Sequence, residues 1–158
     1  MASSDTPRAP ANPASSRPAA TLLGWRALAL FYDLWPAAAL WMAAAALFLL
    51  GHDNRPLAAF SGLQWLLWLL CWLLTGIYAT LSWRGGGQTL GMRPWRLRVI
   101  AAGGGRPSVR AVLLRYLVGS ASLLLGGLGF WWAWIDRERL TWHDRASGTR
   151  MRREEKRA

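Results

Sequence analysis

Asp33 is the residue whose chemistry fits its surroundings least well. It lies inside the apolar run from Gly24 to Leu50, where Arg26 is the only other charged residue. An ionised carboxylate at the centre of a membrane helix costs about 2.5–3.5 kcal/mol on insertion scales. Such a group therefore needs a partner or a function. Two interpretations are open: Asp33 ties helices together, or it binds a proton or a cation.

Three neighbouring residues define what Asp33 could do. Arg26 precedes it by seven residues, so the two share one helix face with a rise of about 10 Å between them. Pro36 has no backbone N–H, so it leaves the Tyr32 carbonyl without its usual helical donor and is expected to break the helix beside Asp33. The sequence thus predicts a carboxylate, a phenol and a free carbonyl within one turn. Oxygen atoms of these kinds are suitable ligands for a hard cation.

The composition indicates a membrane protein. Hydrophobic residues make up 53% of the 158 residues, and the net charge of +11 comes from arginines beside apolar blocks. That distribution is typical of cytoplasmic loops and argues against a nucleic-acid partner. Cys71 is the only cysteine, and no grouping of nucleophile and base is evident. We therefore expect neither an enzyme nor a bound metal or cofactor.

The chain divides into apolar blocks joined by polar segments, which predicts an all-α membrane protein. Residues 1–20 are rich in Pro, Ala and Ser and are predicted to be a disordered tail. The first two spans are predicted at Gly24–Leu50 and from about Leu57 to Leu81. The loop over 84–110 carries arginines and no acidic residue. We expect it to be cytoplasmic and to face anionic lipid headgroups.

The third apolar block, Ala111–Ile135, is interrupted by glycines and forms either one span or a re-entrant hairpin. A full crossing would place the two basic regions, 84–110 and 137–157, on opposite sides of the membrane, against the positive-inside tendency. The sequence therefore favours a hairpin that turns near Gly126–Gly129. Two short segments on the resulting common side, Leu97–Ile100 and Thr149–Arg152, could pair as strands.

The segment His143-Asp144-Arg145 follows this block and has two interpretations. Alternating charges after a span usually form a solvated interfacial segment. In the alternative, Asp144 folds back to the basic loop or to Arg26. Asp144 and Arg145 would then anchor the C-terminal region to the loop.

Three segments of the chain carry a recognisable pattern, in this order: Arg26 with Asp33, then Gly87-Gln88-Thr89-Leu90-Gly91-Met92-Arg93 running into Leu97-Arg98-Val99-Ile100, and His143-Asp144-Arg145 with Gly148-Thr149. Together they resemble the RDD family of small bacterial membrane proteins, named for one arginine and two aspartates. The resemblance covers about residues 22–151 and departs from the family pattern in two places: Met92 stands where a lysine is usual, and Met151-Arg152-Arg153 replaces a valine-rich end.

The resemblance assigns the family arginine to Arg26, its first aspartate to Asp33 and its second to Asp144, with Asp136 as the other candidate. It implies a multi-pass protein of the bacterial inner membrane, with a membrane domain at 21–151 and a basic tail at 152–158. Ligand transport has been suggested for the family, and cation/proton exchange activity has been reported for some members.

Two functions follow as expectations. The first is a transport or cation/proton exchange unit in which Asp33 is the coupling carboxylate and Arg26 orients or discharges it. Tyr32, Pro36, His143 and Arg145 would support this site. Because three short blocks cannot enclose a pathway, this function needs an oligomer or a membrane protein partner. Small residues at Ser122, Gly126 and Gly129 would let helices approach closely. The second function is an accessory membrane protein that does not transport.

Overall fold

The computed structural model describes residues 20–154, so most of the predicted 1–20 tail and residues 155–158 lie outside the described part. Two long helices are followed by a broken third block and a two-stranded sheet. The elements are α1 (Ala20–Leu50), α2 (Gly62–Gly85), β1 (Leu97–Ala101), α3 (Val109–Leu124), α4 (Leu128–Trp131) with a 3₁₀ turn (Trp132–Trp134), α5 (Trp142–Ser147) and β2 (Thr149–Arg153).

Helix α1 contains the first predicted span and continues without interruption through Pro36. Its 31 residues correspond to about 46 Å, which exceeds a hydrocarbon core of about 30 Å. The prediction that Pro36 breaks the helix is therefore wrong. A proline removes one backbone hydrogen bond, but the adjacent turns of a long apolar helix hold the chain in place.

Helix α2 is the second predicted span, displaced toward the C-terminus from the expected 57–81. It begins after Ser61, whose hydroxyl accepts a hydrogen bond from the Gln64 amide and caps the first turn. The apolar residues just before Ser61 belong to the link between the helices. Both α1 and α2 are long and apolar enough to cross a membrane.

The third block packs against α2 at a glycine. A Cβ on Gly76 would lie 2.7 Å from the Tyr116 ring, so only glycine lets α3 approach so closely. The Tyr116 hydroxyl donates a hydrogen bond of 2.7 Å to the Trp72 carbonyl. Trp41 of α1 donates a hydrogen bond of 2.8 Å to the Thr75 hydroxyl of α2. These contacts hold the three helices together around the space between them.

The third block bends at its glycines, as the sequence predicts. The axes of α3 and the α4 region meet at 106°. The bend falls at Gly126 and Gly127, with φ of 69° and 79°, a left-handed conformation that favours glycine. Beyond it, the Gly129 amide donates to the Ser122 hydroxyl at 2.9 Å. The small residues Ser122 and Gly129 thus pack within this block.

After the bend the chain returns to the end from which α3 begins. Helix α5 packs along α3, and β2 then pairs antiparallel with β1, with Leu97 opposite Arg153 and Ala101 opposite Thr149. This confirms the predicted strand pair. Because an open strand pair cannot form across a bilayer, both basic segments must lie on the same side of any membrane that α1 and α2 span.

A labelling experiment tests this arrangement. In a Cys71→Ser background, single cysteines at Ala102, Arg152 and Ala59 should report the side of each segment, since all three positions are exposed. In intact cells, an impermeant thiol reagent should label Ala59→Cys alone. Labelling of Arg152→Cys but not Ala102→Cys would show that the third block crosses the membrane.

Candidate functional site

Asp33 accepts three hydrogen bonds from α2 and the loop that follows it. The Tyr78 hydroxyl and the Gly91 amide donate to Oδ1 at 2.9 and 2.8 Å. The Thr89 hydroxyl donates to Oδ2 at 2.5 Å. The Tyr78 oxygen also accepts from the Leu90 amide at 2.9 Å. The carboxylate thus joins α1, α2 and the loop into one hydrogen-bonded unit.

The loop reaches Asp33 because residue 91 is a glycine. A Cβ on Gly91 would lie 2.6 Å from the Asp33 backbone nitrogen and 2.7 Å from its carboxyl carbon. No larger residue fits there without moving the loop away from α1. The Gly91 amide can therefore contact the carboxylate directly.

The phenol beside Asp33 is not the predicted one. Tyr32 lies on a different face of α1, and its ring packs edge-on against Trp95 at 5.7 Å between centroids. Adjacent helical residues point about 100° apart, which explains the difference. Tyr78 was not anticipated, since no local pattern links a tyrosine of the second span to Asp33. Thr89, by contrast, lies within one of the matching segments.

A second cluster surrounds Asp144, whose side chain is buried between two arginines. Arg26 donates to Oδ2 at 2.6 Å, and Arg115 of α3 donates to Oδ1. The same Arg115 nitrogen donates to the Thr149 hydroxyl at 2.8 Å, and Arg26 donates to the Thr141 hydroxyl at 3.3 Å. This cluster connects α1, α3, α5 and the start of β2.

The local sequence positions Asp144 at the start of α5. The Thr141 hydroxyl accepts from the Asp144 amide, and the Asp144 carboxylate accepts from the Thr141 amide, which completes a capping box. The carboxylate therefore helps to cap its own helix while it binds both arginines.

The interpretation of residues 143–145 as a solvated segment is thus wrong for Asp144, which is 1% exposed. The alternative, a contact with Arg26, is confirmed. The predicted anchor to the basic loop is found only at the edge of that loop. Asp144 binds Arg115, a base that follows the loop and lies in α3, and it pairs with no arginine of 84–110 within the described residues. Arg145 is exposed and pairs with Asp136 at 2.8 Å. Asp144, not Asp136, is therefore the aspartate that contacts Arg26.

Arg26 binds Asp144 and has no ion pair with Asp33 within residues 20–154. The hypothesis that Arg26 orients or discharges Asp33 therefore finds no direct contact to support it. Two of the three residues assigned by the resemblance belong to one cluster, and Asp33 belongs to another.

The charge state of Asp144 follows from its neighbours. Burial opposes ionisation, but Arg115 and Arg26 outweigh it and hold the pKa of the carboxyl well below its ordinary value. Asp144 is therefore ionised at neutral pH. Two guanidinium groups against one carboxylate leave the cluster with an excess positive charge.

His143 lies beside this cluster and is kept neutral. Its ring packs against Phe130 at 4.8 Å between centroids. Burial and the charge of Arg115 lower the pKa of His143 from 6.5 to about 3, although Asp144 opposes the shift. A neutral imidazole therefore faces the arginines, and protonation would add a third positive charge.

This pKa predicts loss of stability in acid. Between pH 6.5 and about 3, an unfolded chain protonates His143 whereas the folded chain does not. The free energy of unfolding should therefore fall as the pH decreases, by up to about 1.4 kcal/mol per pH unit. Protonation of Asp144 also lowers the free energy of unfolding, but only below the ordinary carboxyl pKa of 3.8.

Thermal unfolding in detergent from pH 7 to pH 4.5 measures this effect. The wild-type midpoint should decrease with pH, and His143→Phe, which keeps a ring against Phe130, should decrease less steeply. Parallel curves for the two proteins would exclude His143 as the titrating group.

A cavity of about 830 Å³ lies between α1, α2 and α3. Asp33 lines it, as do Arg26, Arg115 and His143, so both polar clusters border one space. Most of its remaining wall is apolar. Within residues 20–154, no three side chains of His, Cys, Asp and Glu are grouped as a metal site.

This architecture defines a small helical membrane protein. It combines two apolar helices long enough to span a bilayer, a bent third block and buried polar clusters between them. The chain belongs to the RDD family, whose sequence model matches residues 20–148. No curated protein and no solved structure matches the chain.

Proposed function

We propose that this RDD family protein exchanges a small monovalent cation for protons, with Asp33 as the coupling carboxylate. The observation that carries the proposal is the set of donors around Asp33. Two of the three are hydroxyl groups, from Tyr78 and Thr89, and Asp33 borders the cavity between the helices.

A hydroxyl group can donate or accept, because its hydrogen rotates. In the structure, both hydroxyls donate to the Asp33 carboxyl group. The proposed exchange requires that Asp33 carry one proton before a cation binds and release that proton to water as the cation takes its place. If a cation enters, each hydroxyl can turn its hydrogen away and present a lone pair beside the carboxylate oxygens. Asp33, Tyr78 and Thr89 would then supply oxygen ligands, in place of the Tyr32 carbonyl predicted from the sequence.

Arg26 has a different role in this proposal from the one first expected. It holds α5 against α1 through Asp144 and lies about 10 Å from Asp33 along the helix axis. Its charge and that of Arg115 would repel cations from one end of the cavity. A cation would therefore favour the Asp33 end.

The proposed location is the bacterial inner membrane, with the strand pair in the cytoplasm. The basic loop and the C-terminal segment share that side, whereas the link between α1 and α2 carries Arg55 as its only arginine or lysine. This distribution agrees with the positive-inside tendency. Since two spans and one bent block do not surround a pathway, the proposal includes an oligomer or a membrane partner. No catalytic role is proposed.

Flux measurements in vesicles test the proposal. Protein reconstituted with an internal pH-sensitive dye should move protons when sodium or potassium is added outside. Asp33→Asn should insert normally but show no cation-dependent flux, because an amide cannot exchange a proton for a cation. Asp53→Asn is the matched control, since Asp53 is exposed in the link between α1 and α2.

The alternative is an accessory protein in which Asp33 is structural. It is favoured by the same three hydrogen bonds, because they attach the loop to α1 whether or not a cation binds. Absence of flux in wild type, or equal flux in wild type and Asp33→Asn, would support this alternative.

A further inference from the structure

The cavity between the helices has an apolar wall that faces the bilayer. Its lining includes Trp41, Trp68, Trp72 and Leu123, and all four side chains are partly exposed. In a membrane, an exposed apolar concavity of about 830 Å³ is accessible to lipid chains. The concave shape and the apolar lining of this wall therefore fit an acyl chain.

The polar end of the same cavity carries an uncompensated positive charge. Arg26 and Arg115 share the single carboxylate of Asp144. The two arginines are 6% and 2% exposed, and the Nε of each is buried without a hydrogen-bond partner within residues 20–154. An unpaired buried donor on a guanidinium is costly, so these atoms favour an additional acceptor.

The position of the arginines suits a headgroup. Each lies six residues after the start of its helix, about 9 Å along the axis, at the end that carries the strand pair. Arginine side chains there can reach the boundary between hydrocarbon and headgroups. A phosphate offers the acceptor oxygens that guanidinium groups bind best. Asp33, the nearest negative charge on α1, already accepts three hydrogen bonds.

We propose that the cavity is a binding site for one anionic phospholipid, with its phosphate at Arg26 and Arg115 and an acyl chain along the tryptophans. This goes beyond a general attraction between the basic loop and the membrane surface. It places one lipid between the helices, beside both polar clusters.

Native mass spectrometry of the delipidated protein in detergent tests the site. Titration with palmitoyl-oleoyl phosphatidylglycerol should give one retained lipid per chain at a concentration about tenfold lower than with the phosphatidylcholine of the same chains. Glycerol phosphate should not be retained, since it lacks the acyl chain. This comparison requires only the wild-type protein.

A glycine variant tests the acyl-chain part of the site without altering the arginines. Gly119 lines the cavity, and a Cβ there would meet no atom within 4 Å, so Gly119→Phe should fill the space. Gly24→Phe is the matched control, because Gly24 is equally unobstructed but does not line the cavity. Retention of phosphatidylglycerol should be lost in the first variant and kept in the second.

Three results would overturn the proposal. Equal retention of phosphatidylglycerol and phosphatidylcholine, which share the phosphate but differ in net charge, would contradict a site for an anionic lipid. Retention of glycerol phosphate at the same concentration as the lipid would indicate a site for a free phosphate ester. Unchanged retention in Gly119→Phe would place the lipid outside the cavity.

Discussion

Replacement of Asp144 by alanine should lower the free energy of unfolding by about 3–5 kcal/mol, because it leaves two buried arginines without their counter-ion. Within residues 20–154, Asp144 is the only carboxylate that pairs with Arg26 and Arg115. The change also removes the cap of α5. Unfolding in a mixed-detergent titration, followed by tryptophan fluorescence, measures the loss.

Arg145→Gln is the control for this prediction. Arg145 is the neighbouring charged residue, but its pair with Asp136 is largely exposed on the arginine side. Exposed pairs contribute about 0–1 kcal/mol. If Asp144→Ala were no more destabilising than Arg145→Gln, the buried cluster would not hold α1, α3 and α5 together.

The apolar blocks and the strand pair could be predicted because their signals are local. The long apolar runs predicted α1 and α2, and alternating residues near Leu97 predicted β1. The glycines at 126 and 127 predicted the bend, since they permit a left-handed backbone. The apolar pattern predicts too early a start for α2, because the apolar residues begin before Ser61, which caps the helix.

Pro36 shows where a local rule fails. Proline ends most helices in water, but in an apolar helix longer than the membrane the neighbouring turns maintain the conformation. The sequence does contain the proline, yet it does not reveal how strongly the rest of α1 favours a helix.

The partners of the two aspartates depend on contacts between distant segments. In the sequence, Arg115 follows the basic loop closely, whereas in the structure it lies inside α3 and binds Asp144. A usable signal was present, since Thr141 and Asp144 have the spacing of a capping box and so indicated an ordered helix. Tyr78 had no such signal, because only the packing of α2 against α1 brings it to Asp33.

If Asp33 exchanges a proton for a cation, cation binding must displace protons. Addition of sodium or potassium chloride to weakly buffered, detergent-solubilised protein should therefore release protons, up to about one per chain at saturation. The reason is competition: in the proposed exchange Asp33 carries a proton before the cation binds, and its carboxyl oxygens cannot hold the proton and the cation at once. A choline chloride titration controls for ionic strength.

This proton release is the most direct test of Asp33 as the coupling carboxylate, because it needs no vesicle, oligomer or partner. The account predicts saturable release from wild type and from Asp53→Asn, and none beyond the choline control from Asp33→Asn. Equal release from Asp33→Asn and wild type, or none from wild type, would contradict it and leave Asp33 as the residue that attaches the loop to α1.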